Sequence, residues 1–372
     1  MALAKEKLGT YLALSELRNR NGDLGEDDVR GISTSKAFIS TKANLTGVNL
    51  LNYKVVMPGM FAYVADTSRR GDKISLAYND SEDSYLVSSI STVFSVSDKK
   101  HLLSDYLYIY FNRPEFDRFA RFNSWGSARE TFDWDTMCDI DIELPSVEIQ
   151  QKFVDVYKAM VANQKCYENG LSDLKLTCDA YIEDLRRKMP CEKIGDFIYK
   201  STDKNTDGAI TLEQGINIQK KFITPQRANS NLTGRQIVRT GEISYCTQLN
   251  NENVAVAYRE GPDCVVSGVY DVIGVTDKSK LLPKYLMLWL TRREFGRFVY
   301  WASTGSAYEF LSYENLANYE IPVPDIKVQQ AIVDIYECYL KRDEINVRLK
   351  AQIKDLCPIL IRGSLQEGGK TP

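Results

Sequence analysis

The sequence predicts an α+β protein built from two copies of one unit. Each copy is a β-rich domain followed by a long helix, and the two helices pair as an antiparallel coiled coil about a pseudo-twofold axis. Three observations predict this. Residues 105–157 superpose on 284–336 without a gap, with 19 of 53 positions identical at an offset of 179. A gapless repeat of that length marks duplicated architecture. The first part of each half carries short runs of Val, Ile, Thr and Tyr broken by Gly, Pro, Asn and Asp, which are strand signals. The end of each half is a long run with apolar residues at helical spacing.

The repeat is carried by particular residues. Tyr106-Leu107, Glu115-Phe116 and Arg118-Phe119 recur as Tyr285-Leu286, Glu294-Phe295 and Arg297-Phe298. Gly126-Ser127-Ala128 recurs as Gly305-Ser306-Ala307, and Gln150-Gln151 as Gln329-Gln330. Upstream, with small gaps, Glu6-Lys7-Leu8-Gly9 matches Glu192-Lys193-Ile194-Gly195, and Lys36 matches Lys220. The expected division is 1–145 and 189–324 for the domains, 146–188 for the central helix, and 325–372 for the distal helix and tail. The spans 40–72 and 224–252 share little, as expected of inserts that serve different targets or have drifted.

Strands are expected at 54–57, 61–64, 74–78 and 91–96, and at 236–238, 243–245 and 254–258. A helix is expected near 104–122 and 283–301, with Ser104 as its cap in one copy and Pro283 in the first turn of the other. In the central helix Tyr157, Met160, Gln164, Tyr167, Leu171, Leu174, Cys178, Tyr181 and Leu185 alternate at spacings of 3 and 4. That is a heptad seam, which packs on another helix. Helical from 147 to 188, it spans roughly 60 Å. The distal helix drifts in phase, and Pro358 is expected to kink or end it.

Composition narrows the function. A net charge of −3 excludes a protein that coats nucleic acid through bulk positive charge, although a local basic groove remains open. Eight cysteines form no Cys-x-x-Cys pair and there is one histidine, so neither a disulfide framework nor a zinc site is expected. No run approaches the ~20 apolar residues of a membrane span. The expectation is a cytoplasmic chain with no membrane contact, no metal and no cofactor. The sequence has no Asn-Pro-Pro-aromatic loop, no Gly-x-Gly turn, no phosphate-binding lysine loop and no Gly-x-Ser-x-Gly elbow, so no catalytic residue is assigned. Asp139, Asp141 and Glu143 alternate along one strand face; a solvated face is the simpler reading than a metal or catalytic site.

With these residues in view the chain resembles the specificity (S) subunit of type I restriction–modification systems. The resemblance is carried twice: by Lys7-Leu8-Gly9 and Lys193-Ile194-Gly195, by the Gly-Ser turns at 126–127 and 305–306, and by Ile142-Glu143-Leu144-Pro145 and Ile321-Pro322-Val323-Pro324 running into the paired glutamines. It departs from the family's frequent Pro-Pro and Glu-Gln at these places. The resemblance implies two target-recognition domains held by an antiparallel coiled coil, each reading half of a split double-stranded DNA sequence. It implies docking of two DNA methyltransferase subunits, leaves room for two ATP-dependent restriction subunits, and gives the chain no catalytic role. The competing readings are a protein-interaction scaffold that binds no DNA, a specificity subunit of a methylation-only split-site system, and an enzyme with an acidic site around Asp141.

DNA contacts are expected from cationic and polar loops. In the first half these are Arg69, Arg70 and Lys73, whose alternative is a solvated turn. The Gly-Ser segments offer Ser127, Arg129, Ser306 and Tyr308, or else a purely structural turn. Second-half candidates are Lys220, Lys221, Arg227, Arg235 and Gln248. Partner docking is expected through Gln150, Gln151, Gln329 and Gln330.

Overall fold

Each half opens on a short strand that meets the last strand of its own domain. Lys5–Lys7 runs antiparallel to Asp141–Glu143, with Lys5 opposite Glu143 and Lys7 opposite Asp141. In the second half Cys191–Lys193 pairs with Glu320–Pro322 in the same way. The alternating acids of the first half therefore face lysines across the strand pair, and Lys7 Nζ lies 3.0 Å from Asp141. Opposite charges directly across a pair favour the register. Among the described residues no His, Cys, Asp or Glu cluster could hold a metal ion, and all eight cysteines are free.

The computed structural model describes residues 3–41, 43–68, 73–126, 129–226, 231–249, 253–303 and 309–370. It forms two units, Met1–Tyr167 with Ile345–Pro372, and Glu168–Glu344.

In the first unit a four-stranded antiparallel sheet has the spatial order Leu12–Ser15, Thr92–Val96, Phe61–Tyr63, Leu76–Tyr78. Its inner face carries Leu12, Phe61, Tyr63, Leu76 and Phe94, all buried. Against it pack α1 (Ser104–Phe111), α2 (Pro114–Phe122) and α3 (Trp134–Cys138). The single helix expected over 104–122 is broken, because Pro114 cannot continue a helix and holds Arg113 in extended backbone. Ser104 is the first helical residue, and the capping position falls on Leu103.

The second unit repeats the plan. Its sheet has the order Ile198–Lys200, Tyr270–Val275, Ile243–Cys246, Val256–Tyr258. It is covered by α5 (Pro283–Leu290), α6 (Arg293–Ala302) and α7 (Tyr313–Ala317).

The Lys-Leu-Gly and Lys-Ile-Gly motifs gain a reason here. A Cβ on Gly9 would stand 2.6 Å from Cys138 Cβ, and one on Gly195 would stand 2.9 Å from Ala317 Cβ. Only glycine lets the opening turn lie against α3 or α7. The lysines close the same joint: Lys7 Nζ donates to Asp139 O at 2.7 Å, and Lys193 Nζ to Asn318 Oδ1 at 3.0 Å.

The two long helices are α4 (Val147–Lys188) and α8 (Ile326–Gly368). They are antiparallel within each unit. In the first, Lys152 pairs with Glu367 at 2.7 Å and buried Gln164 donates to Asn346 at 2.7 Å. In the second, Gly170 faces the Arg342 side chain, and Ile182 shares a core with Ile332 and Val333.

Two expectations change. The seam leaves its 3-4 phase at its end, where Ile182 is buried and Tyr181 is half exposed. A helix of 3.6 residues per turn drifts off a 3.5-residue repeat, and here the drift turns Ile182 into the domain core. Of the kink or end expected at Pro358, the end does not occur: α8 continues to Gly368. Beyond it Leu360, Ile361 and Ser364 are buried in the first unit, and Tyr106 Oη lies 2.6 Å from Ser364 Oγ. Tertiary burial outweighs the local cost of the proline.

Candidate nucleic-acid interface

The strand Phe61–Tyr63 runs on toward the arginine loop expected to read DNA, while α2 is followed by the Gly-Ser segment. The residues that flank them, 65–67 and 130–132, lie side by side although about sixty residues apart in sequence. Thr67 donates to Glu130 O through its N–H at 2.9 Å and its hydroxyl at 3.1 Å. Phe132 N–H donates to Ala65 O at 2.9 Å. Trp125 and Thr131 exchange a pair of backbone hydrogen bonds of 3.0 and 3.1 Å, closing a narrow hairpin. Gly126 in that hairpin sits at φ +143°, and a Cβ there would stand 2.1 Å from Arg129 O. Glycine is required. Lys73 and Arg129 are exposed beside this junction.

The second unit repeats the junction. Leu311 N–H donates to Thr247 O at 2.9 Å, and Gln248–Leu249 pairs antiparallel with Glu309–Phe310. Gln248 is exposed. In both copies the end of the divergent insert is joined to the residues that follow the shared Gly-Ser segment. Arg69, Arg70, Ser127, Arg227, Ser306 and Tyr308 lie outside the described residues.

The other candidates stand elsewhere. Lys221 is exposed on the turn between Gly215–Ile216 and Phe222–Ile223. Arg235 is half-buried, and its carbonyl accepts from Asn205 N–H at 2.9 Å.

Lys220 turns inward. Its backbone has φ +62°, and its ammonium donates to Val254 O. Burial lowers its pKa to about 8. Lys36, its counterpart, has φ +66° and is fully buried, donating to Ile74 O at 2.8 Å and to the Asp117 carboxylate. Burial pulls the Lys36 pKa down, opposed by Asp117. At the repeat offset Gly296 stands where Asp117 does, so the second lysine lacks that carboxylate. Both lysines brace a turn, and Lys220, expected among the DNA contacts, is half-buried with its ammonium on a carbonyl of its own domain.

The paired glutamines divide into two kinds. Gln150 and Gln329 are fully buried. Gln150 Nε2 donates to His101 O at 2.7 Å and Pro145 O at 2.9 Å, and its Oε1 accepts from Leu103 N–H at 2.9 Å. Gln329 does the same with Lys280 O, Pro324 O and Leu282 N–H. These side chains clamp the start of each long helix to its domain and offer no atom to a partner, which corrects their expected docking role. Gln151 and Gln330 are exposed, each donating to the Asp one turn on at 2.7 Å.

Two residues that reasoning from sequence passed over stand out. Phe122 and Trp301 end α2 and α6 and are 78% and 82% exposed. Their signal was available: both lie off the buried face marked by Phe116 and Phe295, at one position of the repeat.

Among the described residues no helix is long and apolar enough to cross a membrane. Residues 188–355 match the family model described as Type I restriction modification DNA specificity domain. A comparison with curated proteins finds no match. Among solved structures, the type I restriction–modification S subunit from M. genitalium aligns with a TM-score of 0.56 and 9% identity, over 99% of this chain and 96% of that one. A chain from a structure on complex assembly and conformational transition of the type I R-M system aligns with a TM-score of 0.50 and 14% identity, over 98% and 97%. The HsdS subunit from Thermoanaerobacter tengcongensis aligns at 0.41 and 15%, over 98% and 96%. Residues 188–355 thus match the type I restriction modification DNA specificity domain, the same plan is repeated in the first half, and the chain shares the fold of a type I restriction–modification S subunit over nearly its whole length.

Proposed function

We propose that this chain reads a bipartite DNA target, one half through each domain, and carries no catalytic group of its own. The observation that supports this best is the twofold occurrence of the loop junction. The residues just after a shared Gly-Ser segment are bonded to the end of a divergent insert, at Thr67–Glu130 in one unit and at Gln248–Phe310 in the other. Two frames of one design with different inserts suit two heads for two different half-sites. Phosphate contacts from groups such as Lys73 and Arg129 would set affinity, and loop side chains on base edges would set sequence.

In this reading residues 1–145 and 189–324 are the target-recognition domains. Residues 146–188 and 325–372 are the helices that fix their spacing. Two methyltransferase subunits dock on the chain and supply the chemistry, and the same complex accepts two ATP-dependent restriction subunits. Exposed Gln151 and Gln330 remain the candidates for partner contact at the helix starts.

The test is a methylation map. The chain is co-expressed with its methyltransferase partner in an unmethylated host, and modified positions are sequenced. A split motif with a fixed gap is expected. Exchanging residues 1–145 for those of a relative should change one half of the motif only. A stable complex that produces no new motif would overturn DNA reading in favour of a scaffold.

A further inference from the structure

Phe122 and Trp301 occupy one position in the two copies, at the end of the second domain helix, and both rings are turned into solvent. The rings toward the core differ: Phe116 and Phe295 are buried and Phe298 lies 4.9 Å from Tyr319, while Phe119, against Phe132, is 39% exposed and Tyr300, beside Trp301, is 53% exposed. A large ring gains by leaving water. The exposed ring recurs at one structural position in both units, beside the loop junction in each.

The surroundings say by what. Trp301 leads through Ala302 and Ser303 toward the strand Glu309–Phe310, which pairs with Gln248–Leu249. Phe122 leads into the Trp125–Thr131 hairpin beside Thr67. Both rings are thus continuous with the loop junctions. In the second unit Trp301 borders a groove of about 740 Å³ whose polar lining includes Arg186, Lys193, Asn315 and Asn318 against a single carboxylate, Glu320. Arg186 is exposed, and Lys193 is exposed with its ammonium on Asn318. Cations, amides and a free aromatic ring together match duplex DNA, which offers phosphates, base edges and a base step that a ring wedged into the groove can meet. In the first unit the additional exposed ring is Trp125, with Arg129 nearby in sequence.

We propose that Trp301 and Phe122 are the aromatic DNA contacts of the two heads. Each ring lies against a base step at the margin of its half-site, and Arg186 and Lys193 hold the adjoining phosphates in the second unit. This rests on the DNA-reading role proposed above.

The experiment uses the full chain copurified with its methyltransferase subunits and a mixed-sequence 40-bp duplex, titrated at several salt concentrations. Of the four tryptophans, Trp289 is buried, Trp134 is partly buried, and Trp125 and Trp301 are exposed. Duplex should therefore quench fluorescence, and Trp301→Phe should remove part of that quench while keeping affinity within about threefold, since phenylalanine still stacks. Trp301→Ala and Phe122→Ala should each weaken binding about tenfold without changing the salt slope. Affinity within twofold for Trp301→Ala, with the full quench retained, would overturn the proposal. So would loss of methyltransferase subunits from the Trp301→Ala complex at unchanged DNA affinity, which would make the ring a protein contact. If Lys73→Ala and Arg129→Ala weaken binding while the aromatic variants do not, only this proposal falls. If the unmodified complex binds no duplex, the DNA-reading role falls with it.

Discussion

A glutamine next to a glutamine looks like one feature at the residue scale, yet the two side chains have opposite fates. Gln150 satisfies two carbonyls and one N–H in a dry joint, whereas Gln151 faces water. Losing a buried partner leaves groups unsatisfied at ~1–3 kcal/mol each. Gln150→Ala should therefore lower stability by about 2–4 kcal/mol, and Gln329→Ala likewise, while Gln151→Ala should stay within about 0.5 kcal/mol. Denaturant unfolding checks this; a Gln151→Ala loss as large as that of Gln150→Ala would contradict the assignment. The turn lysines offer a pH test. The folded pKa of Lys220, about 8, lies below the ordinary value of 10.5. The unfolded chain therefore binds more protons between those values, and stability rises as pH climbs through the window. Below pH 8 the burden is complete. The melting temperature of Lys220→Met relative to the parent should thus be most favourable below pH 8 and should decline toward pH 10.5. A difference that does not change with pH would show that Lys220 is not desolvated. In the first unit Asp117→Ala strands the Lys36 ammonium in the core, at a cost of about 3–5 kcal/mol measured by the same unfolding experiment.

At the scale of elements the long helices are held by a seam that is not wholly apolar. Gln164 and Asn346 are both buried and hydrogen-bonded at 2.7 Å. A buried polar pair specifies register at some cost in stability. Gln164→Leu alone should destabilise by about 1–3 kcal/mol, because it leaves Asn346 without that partner. Adding Asn346→Leu should recover the loss or more. A double-mutant cycle reads the coupling, and strictly additive effects would mean that the pair does not act as a unit. The domain helices show the opposite balance of local and tertiary forces. Pro114 breaks a helix where both flanking pieces pack separately on the sheet, and Pro358 is carried inside a helix whose following turns are buried.

For the whole molecule, the repeat is the organising fact, and its differences are as informative as its identities. The same glutamine clamp, glycine contact and loop junction occur twice, so the frame is common to both units. The inserts, the Asp117–Gly296 exchange and the Phe122–Trp301 pair are where the copies diverge or meet solvent. Duplication followed by divergence at the loops predicts that a domain exchange changes half of the recognised sequence, as the methylation map tests.

By itself the sequence determined the duplication, the β-rich start and long-helix end of each half, and the resemblance to specificity subunits, because periodicity, turn residues and repeated motifs are local signals that survive without coordinates. It also marked the segments on which the loop junctions are built. Tertiary structure alone decided which residue of each motif faces in. One helical position separates Gln150 from Gln151, and a rotation of 100° per residue is enough to exchange a buried clamp for an exposed amide. It decided that Lys220 turns inward, because a positive φ and a distant carbonyl, Val254 O, set that side chain's direction. It also decided how far Phe122 and Trp301 stand in water: helical spacing sets them off the face of Phe116 and Phe295, and the packing of Phe116, Phe295 and Phe298 shows that this face of the core is already filled.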